Sequence, residues 1–431
     1  MSEALDFDAL DVAAQAEVVV VGGGPGGLCA AIAAAEEGAD TLLIERYGFL
    51  GGMATAGLVN PFMTWHAGGK PIIRGLFERI TERLDEYGGW GGPRQRTAFD
   101  DELLKFVAED LCAEAGVRLQ LHTMLAGVDA SDGRVERIAT LSKSGLRAVE
   151  GDLFIDGTGD GDLAAWAGAE VEIGREEDGH CQPMTLCFRM QNVDIERMPA
   201  RADINELYDA AKERGDIDNP RENVLTFKTT HDREVHFNTT RVVMHDATDA
   251  EEMTEAELIA RKQVRQMVRF MIDEVPGFEN AWLSEVAPQI GIRESRRVMG
   301  DHVLTVDEVL GAQKFDDGIA RGSYAVDIHN PAGTGTVIKR LPPGEAYDIP
   351  YRSLTPRGFD NMLIAARCIS SDHGAHSSLR VMPIVMAIGE AAGCAAKMAL
   401  EPADVRAVDV GALRERLAER GASVYGVSSE Q

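Results

Sequence analysis

A glycine-rich turn near the start of the chain constrains the fold more than any other feature. Residues 17–22, EVVVVG, predict a short buried strand, and the Ala-rich residues 25–37 predict a helix directly after it. Between the two, Gly22, Gly24 and Gly27 have the spacing G-x-G-x-x-G. The first glycine allows a tight turn, the second lets the backbone approach a pyrophosphate, and the third lets the helix pack closely on the strand. We therefore predict a dinucleotide site at the start of this helix.

A carboxylate at the end of the next strand strengthens this prediction. Residues 41–45, TLLIE, read as a second buried strand that ends in Glu45. In a dinucleotide-binding βαβ unit, a carboxylate at this place accepts hydrogen bonds from the adenosine ribose hydroxyls. A lone G-x-G-x-x-G is a weak signal, but the strand, turn, helix and carboxylate in this order are specific. The sequence therefore predicts a Rossmann-type βαβ unit.

Three further features favour FAD over NAD as the dinucleotide. Gly51 and Gly52 follow the second strand closely, which suits a backbone that runs beside a large cofactor. Turn signals at 132–133 and 144–145 separate short β segments into an antiparallel meander, which ends in a second glycine-rich turn at 156–161. The sequence shows no second strand–GxGxxG–helix unit. We therefore expect one site that holds FAD as a non-covalently bound prosthetic group.

The remaining pattern predicts an α/β protein with two domains. Apolar residues at helical spacing mark helices at 71–87 and 99–115. From 170 to 345 the sequence pattern changes and predicts mixed strands, a charged helix and loops rich in Gly, Pro and Asp. We predict a Rossmann-type FAD-binding domain, with a parallel sheet and a β-meander, from residues 1–169 and 346–431. An inserted α+β substrate or cap domain is predicted for 170–345.

Composition limits the partners. The formal net charge of −28, from 71 acidic and 43 basic residues, repels phosphate backbones and anionic membranes, so we expect no nucleic-acid and no membrane partner. No uninterrupted apolar stretch reaches the roughly 20 residues of a membrane helix, and the acidic N-terminus is not a secretory signal, which favours a cytoplasmic protein. The six cysteines lack zinc or iron–sulfur spacing, and residues 51–70 hold none. We expect buried reduced thiols, no metal and no thiol–disulfide chemistry.

The sequence resembles the FAD-dependent oxidoreductases related to the fumarate reductase flavoproteins and to the glutathione-reductase-type FAD fold. The resemblance covers nearly the whole chain. The segments that carry it are VVVVGGGPGGLCAAIAAAEEGADTLLIER, GGMATAGLVNPFM, FIDGTGDGDLAAWAGAE and DNMLIAARCISSDHGAHSSLRVMPIVMAIGEAAG. One departure concerns the late strand MLIAAR, which ends in Arg367 where many relatives carry a carboxylate for the ribityl hydroxyls. Which group binds those hydroxyls here stays open.

The resemblance also implies which residues hold FAD. Glu45 would bind the adenosine ribose with Arg46 beside it, Met53 would run past the ribityl chain with the second glycine pair, and the backbone of Met124 and Leu125 would contact the adenine. The first glycine turn would cradle the pyrophosphate, and the second would close on it. The implied set is Gly22, Gly24, Pro25, Gly26, Gly27, Glu45, Arg46, Gly51, Gly52, Met53, Met124, Leu125, Thr158, Gly159 and Asp160.

A helix start late in the chain is expected to face the flavin. Pro383 suits the first turn of a helix, with Met382 beside it. The free N–H groups of that turn would place partial positive charge toward the flavin and stabilise the negative charge of its reduced ring. Arg380 would add a full positive charge at the same place, or it forms a structural salt bridge.

The candidate catalytic residues are histidines and arginines. His373 and His376 precede the flavin-facing helix and are candidate bases, although a capping or surface role fits their loop equally well. His236, on an alternating strand, is a third candidate or a core histidine. Arg293, within a run of arginines, suits recognition of a substrate carboxylate or contact with the flavin, or it belongs to a structural network. Arg352 could line the same cleft.

The leading functional prediction is an FAD-dependent oxidoreductase that transfers a hydride between the flavin and a small organic metabolite, which the arginines favour as an anion. Two alternatives stay open. The first is an FAD protein of the tRNA-modifying type, which the acidic charge disfavours. The second is a flavin electron carrier for a partner protein, which would not need a large inserted domain. The sequence does not name the substrate or the electron acceptor.

Overall fold

The computed structural model describes residues 5–92 and 97–425. In chain order, the helices of this part are α1 (Pro25–Glu36), α2 (Leu76–Glu86), α3 (Asp101–Ala115), α4 (Asp162–Ala167), α5 (Arg201–Glu213), α6 (Ala250–Glu274), α7 (Val306–Leu310), α8 (His373–Leu379), α9 (Met382–Ala399) and α10 (Val410–Glu419). The strands are β1 (Val12–Val21), β2 (Thr41–Ile44), β3 (His66–Ala67), β4 (Lys70–Pro71), β5 (Arg118–Gln120), β6 (Met124–Ser131), β7 (Arg134–Ser142), β8 (Gly145–Asp156), β9 (Val171–Ile173), β10 (Phe188–Gln191), β11 (Thr226–Lys228), β12 (Glu234–Phe237), β13 (Trp282–Val286), β14 (Arg296–Val298), β15 (Gly318–Gly322), β16 (Val326–His329), β17 (Thr336–Lys339), β18 (Tyr347–Pro350) and β19 (Met362–Ile364).

The main sheet has seven strands in the order β5-β2-β1-β8-β7-β6, and β19 pairs with β8 beside this path. The pairs β1–β2, β1–β8, β2–β5 and β8–β19 are parallel. The pairs β6–β7 and β7–β8 are antiparallel. The long strand β8 pairs with β7 through residues 145–150 and with β19 through residues 154–156. The predicted α/β fold, a parallel Rossmann-type sheet with a β-meander, is confirmed.

Small residues allow the backbones of α1 and α9 to pack in direct contact beside the main sheet. A Cβ added at Gly389 would lie 2.1 Å from the carbonyl oxygen of Gly26, and one at Gly393 would lie 2.2 Å from that of Ala30. A longer side chain would therefore push the two helices apart. By length and composition α9 could cross a membrane, but 83% of it is buried inside the protein. Such burial is typical of a core helix.

A second hydrophobic core lies within the predicted inserted domain. Apart from Leu58, its buried members fall between Met184 and Ile292. They belong to a four-stranded antiparallel sheet in the order β11-β12-β10-β13, to α5 and α6, and to the segments that connect them. This range is narrower than the predicted 170–345. Ile319 of β15 and Val326 of β16 are buried instead in the hydrophobic core that contains the main sheet. Strand β15 pairs with β18.

Candidate functional site

A cavity of about 840 Å³ lies between the carboxyl ends of the parallel strands and the second core. Ligands of open α/β sheets bind at this end of the strands. Fifteen of the residues predicted to bind the cofactor line the cavity: Gly22, Gly24, Pro25, Gly26, Glu45, Arg46, Gly52, Met53, Met124, Leu125, Thr158, Gly159, Asp160, Arg380 and Met382.

The first glycine turn forms an open cradle at the start of α1. Gly24 is the N-cap of α1 and, having no side chain, makes no side-chain capping bond. A Cβ at Gly24 would meet no atom closer than 3.7 Å, whereas one at Gly22 would lie 2.7 Å from the backbone of Gly157. The N–H groups of the first turn of α1 therefore face the cavity without a competing cap, as a bound pyrophosphate requires.

The carboxylate of Glu45 is fixed beside this cradle. It accepts hydrogen bonds from the backbone N–H of Gly23 at 2.7 Å and of Tyr47 at 2.9 Å. Burial raises the pKa of Glu45 above its ordinary value, and these two hydrogen bonds partly offset the rise. Only 5% of the residue is exposed, yet it lines the cavity. This geometry fits a carboxylate that accepts bonds from ribose hydroxyls.

The second glycine pair is tied to the first. The N–H of Gly51 donates to the carbonyl oxygen of Gly23 at 2.8 Å, and Gly51 has a φ of 104°, which favours glycine. Gly51 does not line the cavity, but it positions Gly52 and Met53, which do. This explains the second glycine pair as a support of the cavity wall.

Two other predicted cofactor residues lie behind the cavity wall. A Cβ at Gly27 would lie 1.9 Å from the carbonyl oxygen of Gly22, so Gly27 lets α1 pack on the turn. Pro383 lies in the first turn of α9 and is buried, while its neighbours Val381 and Met382 line the cavity. Both residues shape the wall and do not face its contents.

The arginine that ends β19 has a carboxylate partner. Arg367 donates from Nη2 to Oδ1 of Asp160 at 2.5 Å, and both residues line the cavity. Ser295 donates to the same oxygen from its hydroxyl at 2.5 Å. The carboxylate expected at the end of this strand is therefore replaced by an ion pair. Taken together, the glycine cradle, the fixed carboxylate and the start of α9 fit FAD.

The three histidines predicted as bases do not line the cavity. In α8, His373 places Nδ1 2.9 Å from a carboxylate oxygen of Glu294, and His376 is fully buried. Burial lowers the pKa of His376 well below its ordinary value. His236 is also fully buried, on β12, and burial followed by the charge of Arg189 lowers its pKa to about 3. His376 and His236 therefore lie in the interior, His373 is partly buried against Glu294, and none of the three lines the cavity.

Of the two predicted catalytic arginines, one lines the cavity and one does not. Arg352 has a side chain that is 53% exposed and pairs with Asp317 at 2.9 Å outside the cavity. Arg293 lines the cavity and donates to the carbonyl oxygen of Pro183 at 2.5 Å and to the hydroxyl of Thr185 at 2.6 Å. These partners are neutral, so the guanidinium charge is not compensated by them.

Arg293 belongs to a cluster of positive charge. Burial and the charges of three neighbouring arginines lower its pKa to about 9; these neighbours are Arg380, Arg221 and Arg241. Arg221 lines the cavity, is only 4% exposed, and has no hydrogen-bond partner for Nε and Nη1 among residues 5–92 and 97–425. Its role was not predicted. Since isolated arginines are common, the sequence offers no signal that would have identified it.

A second group that sequence reasoning missed comes from β16 and the residues before it. Tyr324, Asp327 and His329 line the cavity. For Asp327 and His329 the available signal is the alternation in VDIH, because every second residue of a strand faces the same side. His329, and not one of the predicted histidines, therefore stands at the candidate site.

A possible metal-binding group lies elsewhere. Carboxylate oxygens of Asp101, Glu102 and Glu285 approach within 4.8 Å of one another. The guanidinium of Arg189 already pairs with Asp101 and with Glu285 there. The positive charge at this place is thus supplied by a side chain.

Comparison with known proteins identifies the family. The sequence model of the family described as FAD dependent oxidoreductase matches residues 17–417. Digeranylgeranylglycerophospholipid reductase 2 of Methanopyrus kandleri is 32% identical over 197 residues, which are 42% of this chain and 46% of that protein. Digeranylgeranylglycerophospholipid reductase of Methanocella arvoryzae is 34% identical over 134 residues, 28% of this chain and 33% of that protein. The chain thus spans less than half the length of these curated relatives.

Among solved structures, a geranylgeranyl bacteriochlorophyll reductase-like protein from Thermoplasma acidophilum superposes with a TM-score of 0.48 at 15% identity, over 94% of this chain and 84% of that one. The flavin-dependent brominase Bmp2 superposes with a TM-score of 0.44 at 12% identity, over 94% and 83%. Because the family model extends over almost the whole sequence, the chain belongs to the FAD dependent oxidoreductases and is an enzyme that uses FAD.

Proposed function

We propose that the protein transfers a hydride between its FAD and a small organic anion. The observation that carries the proposal is the buried guanidinium of Arg221, two of whose nitrogen atoms have no partner in the described part of the chain. FAD, when bound, supplies the redox chemistry, since it takes up or gives two electrons together with a hydrogen. The residues of the cavity then have to bind and orient the second reactant.

The arginine cluster supports an anionic reactant. A buried charge is stable only when it is paired and hydrogen-bonded. Arg221 and Arg293 line the cavity, and the hydrogen bonds that Arg293 donates end on neutral oxygen atoms. A carboxylate or phosphate can accept two parallel hydrogen bonds from a guanidinium, which gives both affinity and orientation. An anion bound here would supply the missing acceptors.

Two observations weigh against the alternative functions. A tRNA-modifying enzyme needs a basic surface, and this chain carries a net charge of −28. An electron carrier has to bring its flavin near a protein partner, whereas here Thr185 and Cys187 of the second core region line the cavity over the cofactor residues. The lining residues support a reactant that enters the cavity.

An anaerobic substrate screen tests the proposal. The holoenzyme is mixed with small carboxylates and phosphates, and with neutral analogues of the same carbon skeleton, while the flavin absorbance is recorded. We expect reduction of the flavin, or its reoxidation after chemical reduction, by members of the anionic set alone. In Arg221→Met the apparent Kd for these anions should rise at least tenfold, because a charge-assisted contact is lost.

The surface variant Arg357→Met is the matched control, because Arg357 is 46% exposed and pairs with Glu170 outside the cavity. It should leave the Kd unchanged. Two curated relatives are named as digeranylgeranylglycerophospholipid reductases, so an isoprenoid lipid belongs in the screen. Reaction with the lipid or with neutral analogues, together with none by small anions, would contradict the proposal.

A further inference from the structure

The carboxylate of Asp327 is held in place by one oxygen and left free at the other. Tyr324 donates from its hydroxyl to Oδ2 at 2.7 Å, and the backbone N–H of Asp327 donates to the hydroxyl of Ser377 at 3.0 Å. Oδ1 is buried and has no hydrogen-bond partner among the described residues. Asp327 lines the cavity, so a molecule bound there lies beside a carboxylate that has one unsatisfied oxygen.

His329 adds a second group at Oδ2. Its Nδ1 lies 3.2 Å from Nη2 of Arg241, and a guanidinium only donates, so Nδ1 accepts. Burial, followed by the charges of nearby arginines, lowers the pKa of His329, so the ring is neutral. Its proton therefore lies on Nε2, which is 3.7 Å from Oδ2 of Asp327. Two proton-bearing groups, the hydroxyl of Tyr324 and Nε2 of His329, thus lie on the Oδ2 side of Asp327. Oδ1 has no hydrogen-bond partner among the described residues.

The cavity is also lined by arginines whose guanidinium nitrogens lack hydrogen-bond partners among the described residues. Arg221 has two guanidinium nitrogens without a partner among the described residues, and like Asp327 it lines the cavity. Although their charges are opposite, no ion pair joins them in the structure. Arg380, which also lines the cavity, has an Nε without a partner within the described ranges. The same cavity thus holds free guanidinium donors and a free carboxylate acceptor.

We infer that the substrate is a carboxylate with an O–H or N–H donor on the adjacent carbon, and that Asp327 binds this donor and accepts its proton. This inference rests on the proposed function. The arginines, Arg221 foremost, take the substrate carboxylate, and Oδ1 of Asp327 takes the neighbouring hydroxyl or amino group. One small molecule then satisfies both sets of free atoms, which neither a plain carboxylate nor a neutral alcohol does.

The bond changes balance. In the oxidation of a 2-hydroxy acid, the O–H and C–H bonds of the carbinol carbon break and a C=O bond forms. The O–H proton goes to Oδ1 of Asp327, and bound FAD would be the oxidant that takes up the C–H hydrogen with two electrons. A 2-amino acid reacts in the same way to an imine, which water hydrolyses. Tyr324 and His329 hold Asp327 as positioning residues in this scheme.

Ligand binding to the oxidised holoenzyme tests the inference without turnover. The probes are pairs of acids that differ only in the donor: lactate or alanine against propionate, malate or aspartate against succinate, and mandelate or phenylglycine against phenylacetate. Every donor-bearing acid is tested as both enantiomers. Binding is read from the flavin difference spectrum, recorded before any reduction, and from the thermal shift. We expect at least one donor-bearing acid to bind about tenfold or more tightly than its plain partner. The hydroxy and amino arms distinguish the two donors.

Substitution of Asp327 separates its role from a general effect on the cavity. Asp327→Asn should abolish the preference for the donor-bearing acid, leave binding of the plain carboxylate within about threefold, and slow flavin reduction at least a hundredfold. Tyr324→Phe keeps the carboxylate but removes one anchor, so it should weaken the preference in part. The surface variant Asp218→Asn, whose carboxylate is 53% exposed and pairs with Lys262, is the matched control and should change neither.

The outcomes separate the inference from the proposed function. Equal binding of donor-bearing and plain acids, or an unchanged preference in both Asp327→Asn and Tyr324→Phe, would overturn the role of Asp327 and leave the anionic substrate standing. Failure of every anion to perturb the holoenzyme would overturn both. A flavin-to-protein ratio equal to that of the wild type, measured for each variant, ensures that the cavity is intact.

Discussion

Arg380 lines the cavity at the start of α9. It lies directly before the N-cap of α9, and it donates to Gln182 at 3.4 Å while Nε has no partner among the described residues. We expect Arg380→Ala to lower the flavin redox potential and to slow flavin reduction, because a nearby positive charge stabilises the negative charge of the reduced ring. The potential is measured by equilibration with a reference dye.

Two variants control this prediction at the same scale. Arg380→Lys keeps the charge and should retain most of the wild-type potential, and Arg357→Ala removes a charge from the exposed surface, where solvent screens it. An unchanged potential in Arg380→Ala with a full complement of flavin would show that the residue acts only as a structural contact to Gln182.

Packing between α1 and α9 is a property of the two elements together. Gly389 lets α9 approach the carbonyl oxygen of Gly26, and Gly26 in turn lines the cavity. The Cβ of Gly389→Ala would lie 2.1 Å from that oxygen, so backbone has to move. Overpacking of this kind costs about 1–3 kcal/mol. We expect the apoprotein of Gly389→Ala to have a lower Tm than the wild type, and the variant to have a higher Kd for FAD.

Gly333→Ala is the matched control for this variant. A Cβ at Gly333 would meet no atom within 4 Å, and Gly333 does not line the cavity. If both variants changed Tm and FAD binding alike, the close contact between α1 and α9 would not be what positions the glycine turn.

Elements whose pattern is local could be predicted from the sequence. The glycine turn gave β1 and α1, and the helix predicted at 99–115 forms as α3, Asp101–Ala115, with Asp100 as its cap. The helix predicted at 71–87 begins later, at Leu76, because Gly75 with a φ of 63° precedes it. In these cases short-range chemistry decides both the type of element and its end.

The substrate side of the cavity could not be predicted in this way. His373 and His376 directly precede the start of α9 in sequence, but His376 is buried inside α8 and His373 pairs with Glu294, so neither lines the cavity. Conversely, Arg221 and His329 are far apart in the chain, yet the fold brings both to the wall of the same cavity. Contacts between distant segments leave no periodic signal in either segment.

At the scale of the whole molecule, the cofactor residues join the two ends of the chain. Those that line the cavity come from residues 22–53, 123–125, 157–160 and 380–382, with Arg293 from the region of the second core beside them. FAD that binds these segments in the folded state alone must stabilise the fold as a whole. The stabilisation is RT ln(1 + [L]/Kd), about 4 kcal/mol when free FAD exceeds Kd a thousandfold.

We therefore expect that removal of FAD lowers Tm by several degrees and that added FAD restores it in a concentration-dependent way, as measured by differential scanning calorimetry. FMN is the matched ligand, because it carries the flavin and ribityl phosphate but lacks the adenosine that Glu45 would bind. At equal concentration FMN should raise Tm less than FAD. In Glu45→Ala the two ligands should become more alike, since the hydrogen bonds that this carboxylate would accept from the ribose are lost. Equal shifts by FAD and FMN in the wild type would mean that the N-terminal βαβ unit does not hold the adenosine half, and the assembly of one site from both ends of the chain would then be wrong.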